Sequence, residues 1–153
     1  MPNTYSQIYI QIVFAVKGRQ AFIQESFREE LQKYITGIVT NKKQKLYAIY
    51  CMPNHTHLLV SMKPDIAVSD LVRDIKSNSS SFIKEKEWVN TSFRWQEGFG
   101  AFSYSKSQAI DVANYITRQP QHHQKRTFKQ EYFEFLEKFE IEYNEKYLFE
   151  FYE

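Results

Sequence analysis

The alternation of apolar and polar residues predicts a strand at the start of the chain and a helix after it. Within residues 5–16 every second side chain is apolar, and this is the period of a half-buried strand: Ile8, Ile10, Ile12, Phe14 and Val16. Within residues 24–39 apolar side chains recur at intervals of three and four, as on one face of a helix: Phe27, Leu31, Tyr34, Ile35 and Ile38. The two elements are separated by Lys17-Gly18-Arg19.

Two further strands follow, joined by a tight turn. Residues 46–52 are rich in β-branched and aromatic side chains, and Pro53-Asn54 is a turn signal. The apolar run after it, from His55 to about Met62, predicts a second strand. We expect the two strands to form an antiparallel hairpin.

The second half of the chain alternates helices with short strands. Residues 68–86 have helical spacing, although the serine-rich run at 77–81 is unusual in a helix. Small polar side chains there would let either a backbone segment or a phosphate approach. Short strands are predicted at 93–96 and 101–104, and a helix at 105–118, with Ser105 as its cap and Pro120 as a stop. The remainder looks helical, except that residues 147–152 form either a strand or a docked tail.

This order of elements predicts an α+β fold. Without the final helices it is β-α-β-β-α-β, the ferredoxin-like (RRM-like) pattern of an antiparallel sheet with helices mainly on one face. C-terminal helices are added to it, and we expect the other face to stay free for a ligand. A length of 153 residues predicts a single domain, residues 1–153.

Composition limits the cellular compartment and the kind of partner that the protein is expected to have. One cysteine excludes an internal disulfide framework, and no apolar run reaches about 18 residues. Because the first residues also lack the pattern of a signal peptide, we expect a soluble cytoplasmic protein. The net charge of only +2 means that nucleic-acid binding would need a local basic patch. Candidate phosphate contacts, which are more often ordinary surface charges, are Lys76, Arg94, Lys106 and Arg118.

Candidate chemistry is concentrated at two histidines one residue apart. Because side chains alternate in a strand, His55 and His57 share one face and Thr56 the other, near a strand end where an open site is easiest to build. The spacing alone is about as consistent with a surface pair as with a metal site. On the later helix, Tyr115 and Gln119 lie one turn apart on nearly the same stripe.

Three linked segments resemble one known family. They are Met-Pro-Asn-His-Thr-His-Leu-Leu-Val at 52–60, Trp-Gln-Glu-Gly-Phe-Gly-Ala-Phe-Ser at 95–103, and Tyr-Ile-Thr-Arg-Gln at 115–119, with His122-His123 beyond. Together they resemble the single-tyrosine HUH transposases of the smallest bacterial insertion sequences, of which the repeat-associated tyrosine transposases are relatives. Thr56 departs from the bulky apolar residue usual between the histidines. We expect the strand to accept it, because it faces away from the site.

The resemblance implies a DNA transposase that cleaves and rejoins single-stranded DNA at the ends of an insertion sequence. His55, His57 and Gln119 would bind a divalent metal, Mg²⁺ or Mn²⁺, and Tyr115 would form a 5′-phosphotyrosine intermediate. It also implies recognition of DNA hairpins and a homodimer in which the tyrosine helix of one protomer completes the partner's site. We expect His122 and His123 to be exposed or to contact DNA rather than to bind the metal.

Other function classes fit the sequence less well. A histidine-triad phosphohydrolase would need a third alternating histidine, and position 59 is leucine. The two-histidine phosphoesterases need two separated His-X-Thr or His-X-Ser motifs, which the chain lacks. The main alternative is a non-catalytic single-stranded nucleic-acid-binding module, since a ferredoxin-like sheet can stack bases on its aromatic side chains.

Overall fold

A computed structural model describes residues 3–153 of the chain. Its strands are β1 (Tyr9–Ala15), β2 (Lys45–Cys51), β3 (His55–Ser61) and β4 (Gly100–Tyr104). Its α-helices are α1 (Glu25–Asn41), α2 (Val68–Lys86), α3 (Lys106–Thr117), α4 (Gln119–His122) and α5 (Phe128–Lys138). The strands form one sheet in the order β2-β3-β1-β4, and every neighbouring pair is antiparallel. The predicted α+β, ferredoxin-like fold is therefore confirmed.

The larger core lies between the sheet and the pair of helices α1 and α2. The apolar stripes of both helices are buried against one face of β1 and β3, which contributes Ile12, Phe14, Leu58 and Val60. Thr56 lies on this same face, fully buried and opposite Phe14. It therefore points away from the two histidines, as alternation along β3 requires.

The second face of the sheet is covered as well, so the expectation of a free face was wrong. The helix α3 packs over β2 and β3 through Ala109, Val112 and Ile116. The helix α5 packs over β1 and β4 and contributes Phe128, Tyr132 and Leu136. Because these apolar residues are also at helical spacing, the C-terminal helices bury a stripe of their own against the sheet.

The serine-rich run of α2 remains helical and accommodates a neighbouring backbone segment. Ser79 is buried and its hydroxyl accepts a hydrogen bond from Trp95 Nε1 at 3.0 Å. The hydroxyl of Ser80 donates to the carbonyl of Phe93 at 3.2 Å. Of the two explanations left open for these small side chains, close approach of backbone is the one that the structure supports.

Several element boundaries differ from the sequence-based expectations. The first strand begins at Tyr9 rather than Tyr5. Residues 93–96 form only one bridge, Trp95 to Val16, because β1 ends there and the chain turns at Gly18 with a φ of 88°. The C-terminal helical prediction holds for α4 and α5 only, since the chain leaves α5 after Lys138.

The end of the chain is a docked tail. The side-chain amide of Gln96 donates to the carbonyl of Glu150 at 2.7 Å and its oxygen accepts from the Glu150 amide at 2.7 Å. Phe149 and Phe151 contact Phe128 of α5, with ring centroids 6.1 and 5.3 Å away. Of the two alternatives for residues 147–152, the tail is correct. Over residues 3–153, no helix combines the length and the apolar character needed to cross a membrane.

Candidate active site

The two histidines stand side by side on β3, on the face covered by α3 and α5. His55 lies opposite Ala15 of β1, and His57 lies opposite Val13. The small and medium side chains of β1 leave room for both rings, whose centroids are 5.0 Å apart. His55 is the first residue of β3, as expected, but both imidazoles are fully buried. The site is therefore enclosed rather than open at the strand end.

Each imidazole is oriented by a side-chain amide. Nδ1 of His55 donates to Asn54 Oδ1 at 2.8 Å, and Nδ1 of His57 donates to Gln11 Oε1 at 2.8 Å. The amide nitrogen of Gln11 in turn donates to the Tyr104 hydroxyl at 2.9 Å. With Nδ1 of each ring held by an amide oxygen, Nε2 of each ring faces the centre of the site. Hydrogen bonds of this kind orient histidine ligands in metal sites.

A buried carboxylate from α5 lies at the centre. Glu131 is 1% exposed, and its Oε1 is 3.0 Å from His57 Nε2, 3.2 Å from His123 Nε2 and 3.6 Å from His55 Nε2. Its Oε2 accepts a hydrogen bond from Gln119 Nε2 at 2.9 Å. A buried charge needs partners of this kind, because desolvation without them is very costly. Glu131 therefore joins the helix α5 to the histidines of β3.

Gln119 reaches the same centre from the start of α4. Its fully buried side chain places Oε1 3.2 Å from His55 Nε2 and 2.9 Å from His123 Nε2. Gln119 lies beyond the end of α3 at Thr117, so it does not continue the helical stripe of Tyr115 as expected. The structure nevertheless brings both side chains to the site, and it adds His123, which was expected to be exposed or to contact DNA.

Tyr115 of α3 lies at the edge of this cluster. Its hydroxyl donates to Glu131 Oε2 and accepts from the Arg126 guanidinium, which also pairs with Glu134. The His122 ring stacks on the Tyr115 ring with centroids 4.1 Å apart. The phenol is therefore held between a carboxylate and a cation, beside the histidines of its own chain.

Burial and neighbouring charges shift the pKa values of these groups. Burial lowers the pKa of His55 to about 4, against the hydrogen bond to Glu131. Burial acts to raise the pKa of Glu131, but His57 and the other imidazoles around it hold the pKa well below its usual range. Burial and the Glu131 carboxylate raise the pKa of the Tyr115 phenol, against the opposing charge of Arg126. At neutral pH the site therefore contains a carboxylate and a protonated phenol.

The donor set is suited to a divalent metal. Nε2 of His55, Nε2 of His57 and a carboxylate oxygen of Glu131 all lie within 4.8 Å of one another, and Gln119 Oε1 is adjacent. Imidazole nitrogens combined with carboxylate and amide oxygens suit ions such as Mn²⁺. The residues present therefore fit the divalent metal that the sequence resemblance implies. Glu131 adds one anionic donor to the implied ligand set of His55, His57 and Gln119.

Comparison with known proteins decides the family. The sequence model of the family described as "Transposase IS200 like" matches residues 4–119, which span β1 to the start of α4. The chain belongs to the IS200-like transposase family. This transposase is 23% identical over 120 residues to the ISDra2 transposase TnpA of Deinococcus radiodurans, covering 74% of this chain and 84% of that protein.

Two solved structures share the fold of this transposase. One is the crystal structure of a transposase from Deinococcus radiodurans R1, with a TM-score of 0.58 and 20% identity over 76% of this chain and 94% of that one. The other is a REP-associated tyrosine transposase bound to a REP hairpin, with a TM-score of 0.60 and 16% identity over 79% of this chain and 72% of that one.

Sequence reasoning missed Glu131 and Arg126 and wrongly placed His123 outside the site; all three lie beyond the residues matched by the family model. Two signals in the sequence could have pointed to Glu131 and His123. Glu131 interrupts the apolar stripe of α5 between Phe128 and Phe135, where a carboxylate has to be buried and paired. His123 follows Gln119 by four residues, as Gln119 follows Tyr115. Arg126 gives no comparable signal.

The four basic residues predicted to contact phosphate are dispersed over the transposase. Lys76 is half-buried, and its amine donates to the carbonyls of Gln96 and Gly98, so it supports the loop before β4. Arg94 is exposed in that segment. Lys106 and Arg118 are exposed at opposite ends of α3, about 18 Å apart along the helix axis. Their role in nucleic-acid binding stays a prediction.

Proposed function

We propose that this chain, acting as a single domain, cleaves and rejoins single-stranded DNA at insertion-sequence ends through a covalent 5′-phosphotyrosine at Tyr115. One observation carries the proposal: Tyr115, Gln119 and the two β3 histidines converge on one buried carboxylate, Glu131. Packing of a core gives no reason to bring a tyrosine hydroxyl, an amide and paired imidazoles together at one point. A nucleophile that acts beside a bound metal ion requires such an arrangement.

The roles of the residues follow from their positions. His55, His57 and Gln119 would hold the divalent cation, Mg²⁺ or Mn²⁺, with Glu131 as a further oxygen donor. Once bound, the cation would polarise a phosphodiester oxygen and offset the negative charge on the non-bridging phosphoryl oxygens. Tyr115 would lose its proton to Glu131 and attack the phosphorus, its oxygen forming the new bond as the bond to the 3′-oxygen breaks. The 3′-oxygen would take up a proton and leave as a 3′-hydroxyl.

Glu131 lies within reach of the proton of the nucleophile. Its Oε2 accepts the hydrogen bond of the Tyr115 hydroxyl, while Oε1 faces the imidazoles. A general base must lie within hydrogen-bond reach of the proton it removes. The carboxylate of Glu131 meets that condition, and Arg126 beside the same hydroxyl would favour the phenolate by its charge.

Covalent capture tests the proposal. We expect a single-stranded oligonucleotide from the flanks of the gene to form a covalent adduct with the protein in Mn²⁺, visible on a denaturing gel and mapped to Tyr115. Tyr115→Phe and His55→Ala should each abolish the adduct, and EDTA should prevent it. The matched control is Tyr143→Phe, an exposed tyrosine outside the site. An adduct that persists in Tyr115→Phe would contradict the assignment of the nucleophile.

The substrate is proposed to be single-stranded DNA with hairpin ends, and the protein is proposed to be a homodimer in the cytoplasm. Because Tyr115 lies beside the histidines of its own chain, a site in cis needs no partner. Mixing a His57→Ala protein with a Tyr115→Phe protein distinguishes the arrangements. Recovery of capture after subunit exchange supports sites shared between protomers, and no recovery despite exchange supports sites within one chain.

A non-catalytic nucleic-acid-binding module is the weaker proposal. Such a module uses an open sheet face for stacking bases, whereas the central strands β1 and β3 are covered on both faces here. It would bind nucleic acid in EDTA and form no covalent product, so the same gel tests it.

A further inference from the structure

A cavity of about 410 Å³ opens beside Tyr115, between α3 and α5. Its volume lies in the range of about 300–1,000 Å³ typical of small-ligand pockets. Tyr104, Tyr115 and Phe135 supply aromatic surface, and Val112 adds an aliphatic side chain. At its inner end the cavity meets Gln11 and Glu131, so it is continuous with the candidate active site.

Most of the charged groups around the cavity are paired. Glu131 is bonded to the imidazoles and to Tyr115, and Glu134 is paired with Arg126. Asp111 on α3 is exposed, and no ion pair to it is found within residues 3–153. Lys138 on α5 also lines the cavity, and no ion pair to it is found within that part of the chain either. The carboxylate of Asp111 is therefore an acceptor, and the amine of Lys138 a donor, that remain available to a ligand in this cavity.

The Tyr104 hydroxyl is held in position as a donor. It accepts a hydrogen bond from the Gln11 amide at 2.9 Å, and Gln11 is fixed in turn by His57. No acceptor for the Tyr104 hydroxyl hydrogen is found in the described part of the chain. Burial raises the pKa of Tyr104 to about 12, against the hydrogen bond from Gln11. The cavity thus offers aromatic surface, the fixed donor of Tyr104, the amine of Lys138 and the free carboxylate of Asp111.

We propose that this cavity binds the first base of the DNA strand that stays attached to Tyr115, and that Asp111 reads its exocyclic amino group. The inference rests on the proposed function. Because the attacked phosphorus stays bonded to the Tyr115 oxygen, the nucleotide carrying that 5′-phosphate remains within one nucleotide's length of the cavity. The nucleotide on the leaving side departs with its 3′-hydroxyl.

The chemistry of the lining selects among bases. Any base can stack on the aromatic rings, which gives affinity without discrimination. A carboxylate accepts from the amino group of cytosine, adenine or guanine, and thymine has no amino group. We therefore expect thymine to be disfavoured as the first base of the retained strand, and adenine, cytosine and guanine to be accepted.

Sequencing of covalent adducts tests this inference. The full-length protein is incubated in Mn²⁺ with single-stranded oligonucleotides that are randomised around the cleavage site. The first base of the retained strand is read from isolated adducts, and the last base of the leaving strand from the released 3′-hydroxyl product. The variants are Asp111→Asn and, as the matched control, Asp65→Asn, an exposed aspartate in the loop between β3 and α2. Thermal unfolding of each variant confirms that it is folded.

The expected result is a bias against thymine in the wild-type protein and in Asp65→Asn. Asp111→Asn should reduce that bias roughly fivefold or more, because loss of one base contact is worth about that factor. An unchanged bias in Asp111→Asn, or a change confined to the leaving strand, would overturn the inference and leave the proposed function intact. Absence of any adduct from the wild-type protein would overturn both.

Discussion

Replacing Glu131 with glutamine removes the negative charge at the centre of the site while keeping the length of the side chain. In the native protein both carboxylate oxygens accept hydrogen bonds. Oε1 lies 3.0 Å from His57 Nε2 and 3.2 Å from His123 Nε2, and Oε2 faces the Tyr115 hydroxyl and the Gln119 amide. An amide has only one oxygen, so an oxygen that faces the imidazoles leaves the NH₂ group pointing at the Tyr115 and Gln119 donors. One side of the network therefore loses its acceptor.

The expected loss of stability follows from the loss of this hydrogen-bond acceptor. A buried donor without an acceptor costs about 1–3 kcal/mol. In a chain of this size 1 kcal/mol corresponds to about 2–4 °C in melting temperature, so Glu131→Gln should melt about 2–12 °C below the wild-type protein. Glu137→Gln is the matched control, because Glu137 is on the same helix and exposed. It should change stability by no more than about 0.5 kcal/mol.

The same variant tests the metal site. At Mn²⁺ concentrations of about 100 times the dissociation constant, binding should stabilise the wild-type protein by about 2.7 kcal/mol. Loss of one ligand that weakens affinity about tenfold would reduce this to about 1.4 kcal/mol at the same Mn²⁺ concentration. The assay is thermal unfolding with and without Mn²⁺. If Glu131→Gln melts within about 1 °C of Glu137→Gln and responds equally to Mn²⁺, the carboxylate neither stabilises the free site nor binds the ion.

Other substitutions test the packing around the site. Gly100→Ala should destabilise the protein by about 1–3 kcal/mol, because a Cβ there would lie 2.8 Å from the Tyr132 hydroxyl. In contrast, a Cβ at Gly37 in α1 meets nothing within 4 Å, so Gly37→Ala should stabilise the protein by up to about 1 kcal/mol. Chemical denaturation measures both changes. Thr56→Val should stabilise by up to about 1 kcal/mol, since the buried Thr56 hydroxyl has no nitrogen or oxygen partner within residues 3–153 and only the weakly accepting Cys51 thiol opposite it. A loss of stability would mean that the bond to the thiol outweighs the burial of the hydroxyl. Cys51 should resist iodoacetamide at pH 8 in the native protein and react on unfolding, because burial raises its thiol pKa to about 12; rapid native alkylation would contradict its burial.

Local pattern determined most of the architecture. The periods of apolar residues located all four strands that form the sheet, and their order fixed the ferredoxin-like topology. Alternation along β3 placed His55 and His57 on one face and Thr56 on the other. These predictions succeed because side-chain direction within a helix or strand depends only on its local backbone geometry.

For the C-terminal segment, the apolar pattern did not predict where the helices pack. Apolar stripes identified helical structure, but an amphipathic stripe does not state which surface will cover it. The structure places α3 and α5 on the histidine face of the sheet, which was predicted to stay free for a ligand. As a result a site expected near an open strand end is buried beneath two helices.

The sequence by itself determined the strand that carries His55 and His57, the presence of Tyr115 and Gln119 on later helical segments, and the family resemblance. Only the tertiary structure decided that Glu131, His123 and Arg126 join them. Glu131 is 74 residues from His57, and the two meet at 3.0 Å because α5 packs across β1 beside β3. Contacts between distant elements depend on how their surfaces fit together, and no local period of the sequence encodes that fit.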